Sequence, residues 1–179
     1  MKFLKLSINF VSDTIETIAF VGSLYIIVYL FLFFPSSVLG ASMEPTLHSG
    51  DRIFVSRVAY RISDVNRGDV IIIESPKNPD IEYVKRVIAL PGETLLIKEG
   101  DVYIDGYLLE EPYLSEKTNL WENGFTEENI PYVVPENHVF VMGDNRPRSS
   151  DSREFGPVSM ESVIGKATIQ YFPQFNLGL

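Results

Sequence analysis

Three segments of the chain hold residue types able to do chemistry. Gly40-Ala41-Ser42-Met43-Glu44-Pro45-Thr46-Leu47 carries Ser42, a hydroxyl that becomes a nucleophile if a base takes its proton. Tyr83-Val84-Lys85-Arg86-Val87-Ile88-Ala89-Leu90-Pro91-Gly92 reads as a strand, so Tyr83, Lys85 and Val87 share one face and Val84, Arg86 and Ile88 the other. Between an aromatic and a β-branched neighbour, Lys85 loses solvation of its charged form; its pKa falls, and a neutral amine is a general base for a hydroxyl. Gly143-Asp144-Asn145-Arg146-Pro147-Arg148-Ser149-Ser150-Asp151-Ser152-Arg153 adds hydroxyls and charges in a run of turn formers. Each segment has a plainer reading: a juxtamembrane loop with a capping serine, a solvated lysine whose stem covers a sheet, and a surface loop. Taken singly, the segments leave both readings open.

Other chemistry is removed by composition. The chain lacks cysteine, which excludes disulfides, thiolate nucleophiles and Cys-ligated zinc, and two histidines, His48 and His138, are too few for a multi-His metal site. No G-x-S-x-G elbow, H-E-x-x-H, glycine-rich phosphate loop or S-x-x-K is present. Neither a metal nor a cofactor is expected. The 24 acidic against 15 basic residues give a net charge of −9, opposite to what nucleic acid attracts. Arg67-Gly68-Asp69 before Val70-Ile71-Ile72-Ile73 is a turn entering a strand.

These residues need elements to position them. No charged side chain occurs from Thr17 to Met43, and residues 15–34 as a helix span about 30 Å, the thickness of a bilayer core. Pro35 stops that helix. A cleaved signal peptide would carry a shorter apolar core, and a buried soluble helix would show polar positions at helical spacing. Lys2 and Lys5 precede the helix, whereas Arg52 is the first basic residue after it, which favours a cytoplasmic N-terminus. The chain divides into a short cytoplasmic N-terminus (1–14), a transmembrane helix (15–34) and an extracytoplasmic domain (35–179).

That domain reads as mostly β and antiparallel. Val70 to Ile73, Tyr83 to Ile88, Thr94 to Ile97, Val102 to Ile104 and Val139 to Met142 are branched and aromatic runs bounded by turn residues. Asp105-Gly106 marks a type I′ hairpin. Residues 115–137 are polar and turn-rich, a surface excursion, and Ser159 to Ile164 closed by Gly165 resembles a short helix.

The order of S-M-E-P-T-L, R-G-D-V, Y-V-K-R-V and G-D-N-R-P-R-S-S-D-S-R after a membrane helix, and before Gly165-Lys166-Ala167, resembles the bacterial type I signal peptidases, the serine–lysine leader peptidases. The resemblance implies Ser42 as nucleophile and Lys85 as general base. It implies Ser149 as the hydroxyl orienting the amine, with Asp151 and Arg153 supporting that loop and Asp144 and Asn145 holding its turn. Met43 and Tyr83 would line the site or face the membrane, and neither histidine has a role. The partners would be signal peptides of exported preproteins and membrane lipid, in the bacterial inner membrane with the catalytic domain outside the cytoplasm. Some members carry a serine two places before the nucleophile, where this chain has Gly40. A serine placed there is expected to keep or raise kcat, provided Gly40 does not need positive φ. Lysine at 85 separates the chain from the related eukaryotic branch, which has histidine there. Two competing classes are a self-cleaving serine–lysine protease of the SOS-repressor type and a membrane-tethered β module that binds peptides without cutting them.

Overall fold

The computed structural model describes residues 2–179. Helix α1 (Lys2–Phe31) precedes β1 (Phe33–Ser37), β2 (Arg52–Ser56), α2 (Ala59–Ile62), β3 (Val70–Ser75), β4 (Asn78–Ala89), β5 (Thr94–Lys98) and β6 (Asp101–Ile104). Then follow β7 (Tyr107–Leu108), β8 (Tyr132–Val133), β9 (His138–Met142), α3 (Ser152–Phe155), β10 (Val158–Ser159), β11 (Val163–Phe172) and β12 (Asn176–Leu177).

Within α1, Phe10–Tyr29 is apolar and long enough to cross a membrane, and none of it is buried by the rest of the protein. The helix starts well before residue 15, because Asp13 and Glu16 are compatible with helical backbone. It also ends before residue 34. A helix carried through Pro35 would drive the ring into the Phe31 carbonyl, and the residue before a proline prefers extended backbone. Pro35 instead sits in β1, an edge strand, where its missing N–H breaks no ladder.

The larger sheet is antiparallel in the order β1-β2-β11-β3-β4-β9-β10, with β12 paired to β11; a second sheet runs β7-β6-β5-β8. Every expected strand forms, and the β6–β7 turn has φ of 50° at Asp105 and 84° at Gly106, as a type I′ hairpin requires. Strand β3 and the second half of β4, Lys85 to Ala89, are buried on both faces. Val70 and Ile72 pack with Met43, Leu47, Ile53 and Val55 on one side, and Ile71 and Ile73 pack with Val87, Val139 and Val141 on the other. A third apolar cluster, including Ile88, Leu95, Ile104 and Phe140, joins the two sheets.

Two expectations are corrected. Ser159 to Ile164 holds one 3₁₀ turn, Met160–Ser162; Val163 and Ile164 already belong to β11. Gly165 is no helix stop, since a Cβ there would lie 2.5 Å from the Ser56 carbonyl of the neighbouring strand. Residues 115–137 are not a free excursion either. Thr118 and Thr126 are buried, Tyr132–Val133 pairs with β5, and Phe125 packs edge-on against Tyr132.

Candidate active site

The end of β1 leads within five residues to Ser42, in a turn held from both sides. Met43 and Leu47 are buried among Val38, Ile53 and Val70. Apolar burial of two side chains so close in sequence fixes the turn that presents Ser42. Met43 is therefore core, neither site-lining nor membrane-facing. The Ser42 carbonyl accepts from the Asn145 backbone N–H at 3.0 Å. Thr46 Oγ1 donates to Asp144 Oδ2 at 2.5 Å.

Strand alternation sends Lys85 and Arg86 to opposite faces of β4. Lys85 is 3% exposed, and its Nζ donates to Ser42 Oγ at 2.9 Å and to the Val84 carbonyl at 3.0 Å. The amine lies 5.0 Å from the centre of the Tyr83 ring, on the face shared by both side chains. Burial lowers its pKa to about 8, with Asp151 opposing that shift and Arg153 adding to it. About a tenth of Lys85 is then neutral at pH 7, enough for base chemistry.

Arg86 makes a buried fork to Asp144, Nε to Oδ1 at 2.9 Å and NH2 to Oδ2 at 2.7 Å, and donates to the Gly68 carbonyl at 2.8 Å. Its guanidinium also lies over the Tyr113 ring. Asp144 thereby joins β4, the Ser42 turn and the 143–153 loop.

That loop is built on ions removed from water. Asp151 accepts from the Gly143 N–H and from Arg153 Nε and NH2, and Arg153 reaches on to the carbonyls of Arg146 and Asn119. Arg146 donates to Gly143, Thr118 and Glu111. Gly143 is a close-approach position: a Cβ would come within 2.3 Å of both the Ser42 carbonyl and Ser149 Oγ. Ser149 is fully buried, and its Oγ is the one buried side-chain polar atom among the described residues without a hydrogen-bond partner. It makes no hydrogen bond to Lys85 here.

Most of the expected residues thus converge: Ser42, Lys85 and Tyr83 at one face, with Asp144, Asn145, Asp151 and Arg153 behind them. Sequence reasoning missed Arg86, Thr46, Glu111, Thr118, Asn119 and the role of Arg146. One signal was present for Arg86, since a cation beside Lys85 on the opposite face of a two-sided buried strand must find a carboxylate.

A groove of about 470 Å³ opens on Ser42 and Lys85, walled by residues 36–39 on one side and 80–84 on the other. Ser36 and Ser37 end β1, and residues 80–84 belong to β4. A model of the family "Signal peptidase, peptidase S26" matches residues 11–172. The chain belongs to the signal peptidase family. Signal peptidase I of Bacillus licheniformis is 39% identical over 169 residues, covering 92% of this chain and 90% of that one. Signal peptidase I T of Bacillus subtilis is 42% identical over 147 residues, covering 80% and 76%. The crystal structure of a signal peptidase I from Enterococcus faecalis is 40% identical with a TM-score of 0.50, covering 60% of this chain and 99% of that one. Family membership makes the protein a peptidase.

Proposed function

We propose that this peptidase is anchored by α1, with its N-terminus cytoplasmic and its β domain outside, and removes signal peptides from exported preproteins. Ser42 is the nucleophile and Lys85 the general base. The observation that carries this reading is the 2.9 Å contact between Lys85 Nζ and Ser42 Oγ, made by an amine that burial holds near pKa 8.

In the neutral state the amine takes the Ser42 proton as Oγ attacks the scissile carbonyl carbon. Charge on the tetrahedral oxygen is met by the Ser42 backbone N–H. As the C–N bond breaks, the Lys85 ammonium returns a proton to the departing amine, leaving an acyl-serine. Water, deprotonated by the same lysine, attacks the acyl carbon; the bond to Ser42 Oγ breaks, and the ammonium returns its proton to that oxygen. Ser149, whose hydroxyl has no hydrogen-bond partner among the described residues, is the group available to steady the amine, and the Asp151–Arg153 pair holds its loop.

A preprotein segment would enter the groove extended, adding a strand between residues 36–39 and 80–84, with Tyr83 on its wall. Chemistry stays close to the membrane, because Ser42 lies only eleven residues beyond the end of α1. Cleavage of a model preprotein by wild type and Ser42→Ala, side by side in detergent, tests the assignment. Product is expected from wild type alone; equal product from the variant overturns it.

A further inference from the structure

The β1–β2 hairpin returns Arg57 to the point where the chain leaves α1, and Arg61 follows one turn later in α2. Arg57 N–H donates to the Leu32 carbonyl at 3.2 Å, and the Arg57 guanidinium lies 4.4 Å from the centre of the Phe34 ring. Arg57 and Arg61 line one cavity of about 400 Å³ with Tyr60, Met160 and Val163. Among the described residues, neither guanidinium is within salt-bridge distance of a carboxylate, although the chain carries a net charge of −9.

The level of this cavity follows from α1. Tyr25 and Tyr29 stack one turn apart at the end of the apolar stretch Phe10–Tyr29, where amphipathic rings belong at a bilayer interface. Leu32 is three residues further on, about 5 Å at the helical rise, inside a headgroup layer about 5–8 Å thick on each side. Ile62, at the end of α2 and 83% exposed, adds an apolar side chain beside Arg61. An acidic domain is repelled by an anionic surface, so two guanidiniums without carboxylate partners close to the end of α1 favour one way of sitting there.

We propose that Arg57 and Arg61 form a site for the phosphodiester of an anionic phospholipid headgroup, orienting the β domain on the bilayer. Guanidinium suits this ligand because its donors form a planar fork matched to phosphate oxygens. The proposal rests on the reading of α1 as a retained anchor.

The full chain is compared with Arg57→Gln/Arg61→Gln in zwitterionic detergent micelles titrated with phosphatidylglycerol, with the thermal midpoint as readout. Wild type is expected to gain stability with lipid; the double variant should need about 25-fold more lipid for the same gain, and each single variant about 5-fold more. Arg57→Lys/Arg61→Lys should keep part of the response, and cleavage in lipid-free micelles should be unchanged in all variants. Equal responses in wild type and double variant overturn the site. An equal midpoint gain from inorganic phosphate overturns the lipid as its ligand. Carbonate washing of membranes separates the two readings: retention of wild type and double variant alike leaves the anchor intact whatever the titration shows, whereas release of wild type overturns the anchor and the site together.

Discussion

Lys85 and Arg86 are neighbours in sequence, both nearly buried, and they end in opposite protonation regimes. Burial lowers Lys85 to about 8, because no carboxylate bonds to its amine. Burial pulls Arg86 down as well, but hydrogen bonds and charge from Asp144 outweigh it and raise the guanidinium pKa. The two faces of β4 therefore do different work. One keeps a cation by giving it a partner; the other withholds the partner so that the proton can leave. Desolvation is common to both sides, and the carboxylate decides.

Lys85→Arg attacks this contrast most directly. It keeps the charge but installs a group that cannot release its proton, so kcat/KM is expected to fall by at least about 10³-fold, and Lys85→Met by a similar amount. Circular dichroism should show both variants folded. Retained turnover in Lys85→Arg would remove the amine from the mechanism.

Asp144→Asn breaks the other face. It leaves the Arg86 guanidinium buried against a neutral amide and weakens the Thr46 contact, so stability should drop by about 3–5 kcal/mol in denaturant titration. Activity should fall with it, since the Ser42 turn loses its tether. An unchanged midpoint would mean that the ion pair contributes nothing net.

The pH profile sharpens the contrast without mutation. Below pH 8 the ammonium form dominates, so kcat/KM should rise about tenfold per unit up to a plateau above pH 8. Stability has its own window. A lysine lowered from 10.5 in the unfolded chain to about 8 when folded binds fewer protons in the native state between those values. Stability should therefore rise with pH from about 8 to 10.5. Lys85→Met, which has no proton to bind, should lack that rise and melt higher than wild type at pH 7. A flat activity profile from pH 6 to 9 would contradict the lysine base.

The smallest effect is expected at Gly40, which adopts φ of +93° with open space around its Cα. A serine there meets no atom but strains the backbone by about 1–2 kcal/mol. Gly40→Ser should thus lower kcat modestly, contrary to the expectation from relatives that carry a hydroxyl at this place. A rate above wild type would show that an added oxyanion donor outweighs the strain.

Local patterns made much of this legible. Alternation in Tyr83 to Ile88 put Lys85 and Arg86 on opposite faces, and Asp105-Gly106 marked its hairpin. A long uncharged stretch announced one membrane-compatible helix. Period-two and turn signals depend on near neighbours, so they survive without knowledge of the fold. Residues 115–137 failed for the complementary reason: polar side chains look solvated until a distant arginine is found to need them. Thr118 and Asn119 hold Arg146 and Arg153 across gaps that no local pattern reports.

The sequence by itself determined which residues were available for chemistry and that one helix could cross a bilayer, because residue type and apolar length are local properties. Tertiary structure alone decided that Ser42 and Lys85 meet, that Met43 is core, and that Arg57 returns to the end of α1. Those outcomes depend on strand order and on burial summed over distant segments. Lys85 shows the reason most plainly: the same side chain is an ordinary surface cation or an amine with a pKa of about 8, according to how much water the rest of the fold removes from it.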